Sequence, residues 1–364
     1  MKRLLFLTNI PSPYRVKFFE ELGKTFDVTV LFHDDSRNHT GRANNWFGQG
    51  NGSFHQVQLE KCVFSRGEDS LCLDVLGWLK QPFDAVIVCG YASLTEMLAI
   101  AYLRMKKKPF FLEVDGGLVR PDSGMKYRLK KWLVSSADGW ISSGKYTTDY
   151  LLHYGADPDR TYEYPFSSLQ EADIQDAVTT AEEKTALRQQ LNIPEEKCVL
   201  SIGQFIPRKG FDVLLKAAAD LNKETGIYIV GGEPTEEYLR LREELGLNNV
   251  HFVGFQDKEA LAKYYRASDV FVLPTREDIW GLVINEAMAY GLPVITTDRC
   301  VAGLTLIENG TNGCIVPTEN AQALAEAIQN VFAADCLKLG AASLEKIRPY
   351  TIENMAKAHA EILK

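Results

Sequence analysis

The chain has 364 residues, 46% hydrophobic and 24% charged, the proportions of a globular protein with room for about two domains. Its net charge is -8 and the acidity is concentrated late: residues 1–180 hold 21 Lys and Arg against 22 Asp and Glu, the remainder 19 against 26. That balance excludes a protein built around a nucleic-acid backbone, which is bound through accumulated Lys and Arg, and no run approaches the roughly eighteen consecutive apolar residues of a membrane-spanning helix.

The opening run LLFL, Leu4 to Leu7, is too short for the apolar core of a secretory leader and reads as a buried strand. It is followed by TNIPSPYR, Thr8 to Arg15, a loop stiffened by two prolines. Ser12, Tyr14 and Arg15 can donate to a ligand there; an ordinary strand-to-helix connection is the alternative. VTVLF at 28–32, AVIVCG at 85–90, PFFLEV at 109–114 and GWISS at 139–143 have the length and unbroken hydrophobicity of parallel strands covered on both faces. His33 and His39 fall in loops with no partner visible, and Asp115 in LEVDGG stands just past a strand. Lys106, Lys107 and Lys108 fall at a helix C-terminus, where cations suit the dipole. GMKYRLKKWLVSS, Gly124 to Ser136, puts Met125, Leu129, Trp132 and Leu133 on one helical face and Lys126, Arg128, Lys130 and Lys131 on the rest. Two readings stay open: a stripe packed in the core under a solvated charged face, or a basic amphipathic helix lying on an anionic membrane.

A polar stretch around 164–184 reads as a linker, with a short helix near 182–191. A second series of strands follows: CVLSIG, GIYIVGG, VHFVGF, VFVLP, PVITT and CIVP, again alternating with helical patterns. Two successive doubly wound α/β domains are the natural reading. The final YTIENMAKAHAEILK has helical spacing. The seven cysteines, at 62, 72, 89, 198, 300, 314 and 336, are odd in number, scattered and without a CxxC pair, a pattern of reducing, cytoplasmic proteins without structural zinc.

Two stretches of the second series carry chemistry. In VLSIGQFIPRKGFDVLLKAAADL, 199–221, Arg208 and Lys209 sit at a helix N-terminus, where a cation opposes the macrodipole by about 0.3–1 kcal/mol. A diphosphate shared by the helix end and both side chains would reconcile them; two solvated surface cations are the alternative. In REDIWGLVINEAMAYGLPV, 276–294, a helix from Gly281 to Tyr290 is almost wholly apolar yet contains Glu286. A carboxylate there is either at the one wet edge or paired. Asp278 precedes the helix, and Gly281 lets a ligand approach its free N–H groups. An edge glutamate and a turn-capping aspartate remain the plain alternatives.

REDIWGLVINEAMAYGLPVI is similar to the signature of retaining glycosyltransferases of family 4: an acidic residue, seven residues, then Glu-Ala-Met-Ala, followed by Gly and Pro-Val. RKGFDVLLKAAADL and IVGGEPTEEYLRLREELGLNNVHFVGF resemble that family's donor-domain motifs in the same order, and the clear match covers about 198–318. The resemblance implies a GT-B fold, two doubly wound Rossmann-like α/β domains facing each other across a cleft. Residues 1–165 would take the acceptor, 166–349 would supply linker and donor domain, and the helix of about 350–364 would pack back on the first domain. It further implies that Glu286 binds ribose hydroxyls, that Arg208 and Lys209 neutralise the diphosphate, that Asp278 lies near the transferred sugar, and that Gly203, Gly254, Gly281 and Leu282 line the donor site. Asp115, Ser12, Tyr14 and Arg15 would be acceptor-side.

The implied activity is retaining, metal-independent transfer from a UDP- or GDP-sugar to a glycan or lipid-linked acceptor, in surface polysaccharide or glycolipid synthesis. Neither cofactor nor metal is expected; the setting is cytoplasmic, and the membrane-surface reading of 124–136, where it holds, would suit a lipid-linked acceptor. Three positions depart from the family: Asp278 replaces the first signature glutamate, Gly203-Gln204 stands for Gly-Arg, and Asp115-Gly116 stands where His-Gly is frequent. Gln204 and Asp278 keep open a catalytically weak homologue that binds nucleotide or glycan as a partner subunit. A dehydrogenase is disfavoured, because no GxGxxG follows a predicted strand.

Overall fold

The computed structural model describes residues 1–34, 48, 50–66 and 69–364, so His39 lies outside the described residues. The chain divides into two compact units, Met1–Ser168 with Tyr350–Lys364, and Leu169–Pro349.

The first unit runs β1 (Arg3–Thr8), α1 (Pro13–Leu22), β2 (Asp27–Phe32), β3 (His55–Gln58), β4 (Cys62–Arg66), β5 (Asp69–Cys72), α2 (Val75–Leu79), β6 (Ala85–Cys89), α3 (Leu94–Lys106), β7 (Phe111–Val114), α4 (Gly124–Val134), β8 (Gly139–Ser142), α5 (Lys145–His153) and β9 (Thr161–Glu163). Seven strands form one sheet in the order β3-β2-β1-β6-β7-β8-β9, every pair parallel. The order reverses between β1 and β6, which opens a crevice at their carboxyl ends. The five apolar runs read from the sequence are β1, β2, β6, β7 and β8, whose middles are buried because helices cover both faces. The short, polar β3 and β9 and the β4–β5 hairpin carry no such run. The hairpin brings Cys62 and Cys72 into a disulfide, which the scattered spacing did not suggest; Cys89, Cys198, Cys300, Cys314 and Cys336 are free.

Helix α3 begins in a reciprocal cap, Ser93 accepting from Glu96 N while the Glu96 carboxylate accepts from Ser93 N. It ends at the lysine cluster, with Lys107 in the left-handed region and Lys108 bonded to the Leu79 carbonyl. The apolar stripe of α4 divides: Leu133 enters the core, whereas Met125, Leu129 and Trp132 are 86%, 48% and 39% exposed, with Arg104 stacked over the Trp132 ring at 5.5 Å. His33 is buried, its Nδ1 2.9 Å from Ser70 Oγ and its Nε2 3.3 Å from Glu96, so the imidazole stitches the end of β2 to α3.

The second unit runs α6 (Ala181–Leu191), β10 (Lys197–Ile202), α7 (Phe211–Ala218), β11 (Thr225–Val230), α8 (Glu236–Glu244), β12 (Val250–Val253), α9 (Lys258–Ala267), β13 (Val270–Leu273), α10 (Leu282–Ala289), β14 (Val294–Thr297), α11 (Val301–Leu306), β15 (Gly313–Val316), α12 (Ala321–Ala333) and α13 (Cys336–Ile347). Its parallel sheet has the order β12-β11-β10-β13-β14-β15. The six apolar runs of the second series are these six strands. The reversal falls between β10 and β13, which carry the two chemistry-bearing loops, so both loops open at one crevice. The last helix, α14 (Ile352–Ile362), belongs to the first unit and lies against α1.

Candidate functional site

After β10 the chain turns through Gly203 and the exposed Gln204, buries Phe205, and makes a single 3-10 turn, Pro207–Lys209, before α7. Gly210 follows at φ 69°, where a Cβ would stand 2.1 Å from the Pro274 carbonyl oxygen. Only glycine allows this approach, and it presses the Arg208–Lys209 turn against the end of β13. The backbone completes the joint, Arg276 N donating to the Arg208 carbonyl at 2.8 Å.

The two loops meet in an ion pair. Lys209 Nζ lies 2.6 Å from Asp278 Oδ2, with the side chains 13% and 11% exposed. The more open Arg208 reaches the same oxygen at 3.4 Å and donates to the Glu277 carbonyl at 2.8 Å. Asp278 is fixed in turn by its backbone, which donates to the Arg299 carbonyl and accepts from Val301 N. The structure thus brings Arg208, Lys209 and Asp278 together although about seventy residues separate them.

Gly281 starts α10 at φ 103°; a Cβ there would meet Cys300 Sγ at 2.8 Å and sit 3.8 Å from Asp278 Cγ. Burial pushes the Cys300 thiol up to about 12, so it packs as a neutral side chain. The first N–H groups of α10, at Leu282 and Val283, lack intrahelical acceptors by the geometry of any helix start. Along α10, Leu282, Val283 and Glu286 are the partly open positions and the remainder is buried; Tyr290, just past its end, is also partly open. Glu286 accepts from the Tyr265 hydroxyl of α9 at 2.9 Å, and the buried Tyr265 ring stacks on Tyr290 at 5.0 Å. Burial first and then the Glu286 carboxylate push the Tyr265 phenol well up, so it remains a donor. Glu286 is therefore both at the wet edge and paired. Gly203 lies against the Lys209 side chain, and Gly254 follows β12 at the same carboxyl edge of the sheet.

Sequence reading missed what holds these loops. The Arg276 guanidinium forks onto both Asp212 oxygens at 2.8 Å each and also reaches Glu319, clamping the signature loop to the first turn of α7. Burial works against it, but Arg276 holds the Asp212 carboxyl below the usual carboxylate range. An aspartate one residue inside a helix start was the available signal.

In the first unit, Arg15 is turned inward rather than toward solvent: its guanidinium divides between Glu113 Oε1 at 2.7 Å and Asp115 Oδ2 at 2.6 Å. Its guanidinium is thus engaged by two carboxylates. Ser12 is buried at the start of α1, and Tyr14 packs edge-on to Phe166. Asp115 keeps 23% of its side chain exposed and accepts from the Tyr164 hydroxyl at 2.8 Å. Burial and then Glu113 raise the Asp115 carboxyl, Arg15 acting against them. Glu113, despite complete burial, is held low by Arg15 and by His359 of α14, whose Nε2 is 3.4 Å away. Glu113, Tyr164 and His359 were also missed; a glutamate inside the apolar PFFLEV was the one hint. Among the described residues no group of three or more His, Cys, Asp or Glu is arranged to hold a metal, and no helix is long and apolar enough to cross a membrane.

Residues 183–346 match the family described as glycosyl transferases group 1. The D-inositol 3-phosphate glycosyltransferase of Nocardioides sp. is 28% identical over 269 residues, covering 67% of this chain and 57% of that protein. That of Geodermatophilus obscurus is 32% identical over 231 residues, covering 59% and 50%. The chain spans about half the length of the curated relatives it matches. Among solved structures, sucrose-phosphate synthase of Thermosynechococcus elongatus shares 21% identity with TM-score 0.77, covering 99% of this chain and 98% of that one. HepE of Anabaena in complex with UDP shares 17% with TM-score 0.75, covering 99% of both. At these identities the likeness shows the fold, the GT-B class of two Rossmann-like halves.

Proposed function

We propose, because residues 183–346 match the group 1 glycosyl transferases, that the chain moves a glycosyl group from a nucleotide-sugar donor to a hydroxyl of a glycan or lipid-linked acceptor, with retention of anomeric configuration. Lys209 and Arg208, with the glycine-opened start of α10, receive the diphosphate; Glu286, held by Tyr265, takes the ribose hydroxyls; Asp278 faces the sugar. The bond from the anomeric carbon to the diphosphate oxygen breaks, its electron pair leaving on the diphosphate. The acceptor oxygen bonds that carbon on the same face, and its proton passes to a departing oxygen or a site carboxylate. Fixed cations and a helix end stabilise the developing charge, so no metal is needed. The observation that carries this reading is the meeting of Lys209, Arg208 and Asp278 beside Gly281 at the carboxyl end of β13.

In the first unit, Asp115 is the acceptor-side carboxylate. The exposed Met125, Leu129 and Trp132 of α4, set among the exposed Lys126, Arg128 and Lys131, support peripheral contact with an anionic membrane. Such contact suits a lipid-linked acceptor in surface polysaccharide or glycolipid synthesis. The relatives' name adds D-inositol 3-phosphate to the acceptors worth trying, and the UDP in the Anabaena structure puts UDP-sugars first among donors. Nucleotide release from UDP- and GDP-sugars, with and without chelator, should fall at least tenfold in Lys209→Ala and in Glu286→Ala. Unchanged turnover in both would mean the site is misassigned. Nucleotide binding without turnover would favour a partner subunit.

A further inference from the structure

Asp115 is unusual in how completely it is held. One carboxylate oxygen accepts from Arg15 and the other from Tyr164, whose ring is itself almost fully buried. Neither partner is free to leave. The other arm of the Arg15 guanidinium is bonded to the inaccessible Glu113, and behind Glu113 lies His359, anchored through Nδ1 to the Met355 carbonyl at 2.8 Å. The His359 ring fixes Tyr164 as well, edge-on at 4.6 Å, and packs on Phe18 at 4.7 Å. Four elements distant in sequence, α1, β7, the segment after β9 and α14, converge on one partly exposed carboxylate at the carboxyl edge of the sheet. A buried arrangement of this kind costs several kcal/mol of desolvation per ion unless each charge is bonded, and a core of aliphatic side chains would fill the space without that cost.

We propose that Arg15 and Tyr164 are positioning residues that lock Asp115 in one orientation toward an acceptor hydroxyl, and that Glu113 with His359 of the C-terminal helix fixes the Arg15 guanidinium, making α14 part of the acceptor site. This rests on the transferase reading above. Asp115 is faced by Arg15 and Tyr14 from α1, Cys89 at the end of β6, Glu113 of the adjoining β7 and Tyr164, with His359 behind Glu113. The Tyr164 hydroxyl favours the charged carboxylate, so its loss moves Asp115 titration to higher pH.

The test measures pH profiles of nucleotide release from UDP-glucose, or from GDP-mannose if GDP is the nucleotide bound, in the full chain, with calorimetric nucleotide affinity measured on the same preparations. Asp115→Asn should lower kcat at least a hundredfold, and Tyr164→Phe and Arg15→Lys about tenfold, which at 1.4 kcal/mol per decade is a modest perturbation of one group. His359→Gln should lower it about threefold. Tyr164→Phe, which keeps the packed ring, should also shift the acid limb upward by roughly half a pH unit or more. Nucleotide affinity should stay within twofold throughout. Tyr164→Phe and Arg15→Lys with the wild-type rate and acid limb would overturn the positioning role. Asp115→Asn with full turnover and intact nucleotide affinity would overturn the inference while leaving the donor site standing. A wild-type protein that binds neither UDP nor GDP would remove the transferase reading, and this inference with it.

Discussion

Replacing Asp278 by asparagine keeps the shape of the side chain and an oxygen for Lys209 to bond, but removes the charge that now occupies Lys209 at 2.6 Å. A phosphate oxygen meeting Lys209 at about 2.8 Å would lie on the order of 5 Å from Asp278 Oδ2. Two like charges at that distance repel by about 0.8 kcal/mol at the dielectric of water and about 3 kcal/mol at an effective value of 20. Both loops are largely but not wholly enclosed, so a value near 1.4 kcal/mol, roughly a tenfold change in affinity, is expected. Asp278→Asn should therefore bind the bare nucleoside diphosphate about tenfold more tightly by calorimetry. Sugar transfer should fall at least tenfold in the same variant, because a charged acceptor for sugar hydroxyls is gone. Unchanged or weaker diphosphate affinity would refute the premise that Lys209 exchanges the carboxylate for phosphate.

Gly210→Ala places a Cβ within van der Waals overlap of the Pro274 carbonyl at a positive φ; thermal unfolding should come several degrees lower and nucleotide affinity should drop with it, since the cation turn and β13 are pushed apart. Tyr265→Phe leaves the stack on Tyr290 but removes the hydroxyl that bonds Glu286, and donor affinity should weaken about three- to tenfold, part of the roughly 1.5–3 kcal/mol that one hydrogen bond to a charged group contributes. Because the folded Asp212 titrates below its unfolded value, its contribution is present above about pH 4 and lost as pH falls through the folded value. Asp212→Asn should thus be less stable at pH 7 and show a flatter loss of melting temperature on acidification. Leu129→Glu, on the exposed face of α4, should abolish co-sedimentation with vesicles containing phosphatidylglycerol while leaving the melting temperature within about 1 °C.

Where burial demanded continuous apolar residues, the sequence was easy to read: eleven parallel strands announced themselves because both faces of each sheet are covered. The polar edge strands β3 and β9 offered no such period, and the β4–β5 hairpin hid a cysteine pair that only its strand pairing reveals. The same division holds at the sites. Arg208, Lys209, Asp278 and Glu286 stand in short motifs, so their types and spacing were visible. Arg276 with Asp212 and Glu319, Tyr265 with Glu286, and Arg15 with Glu113, Tyr164 and His359 are partners across long sequence separations. Apart from Asp212 in the first turn of α7 and Glu113 inside an apolar run, nothing local distinguishes them from surface charges or core aromatics. The α4 stripe shows the converse, since helical periodicity gave the face but could not tell whether it turned to the core or to solvent.

The central claim, that the loops after β10 and β13 form a nucleotide site, is tested most directly by calorimetric titration of the full chain with UDP and GDP, without metal and then with magnesium, repeated on Glu286→Ala. Binding of one nucleotide without metal, weakened at least tenfold in the variant, is the predicted result. Binding of neither nucleotide, or equal binding by wild type and Glu286→Ala, would contradict it.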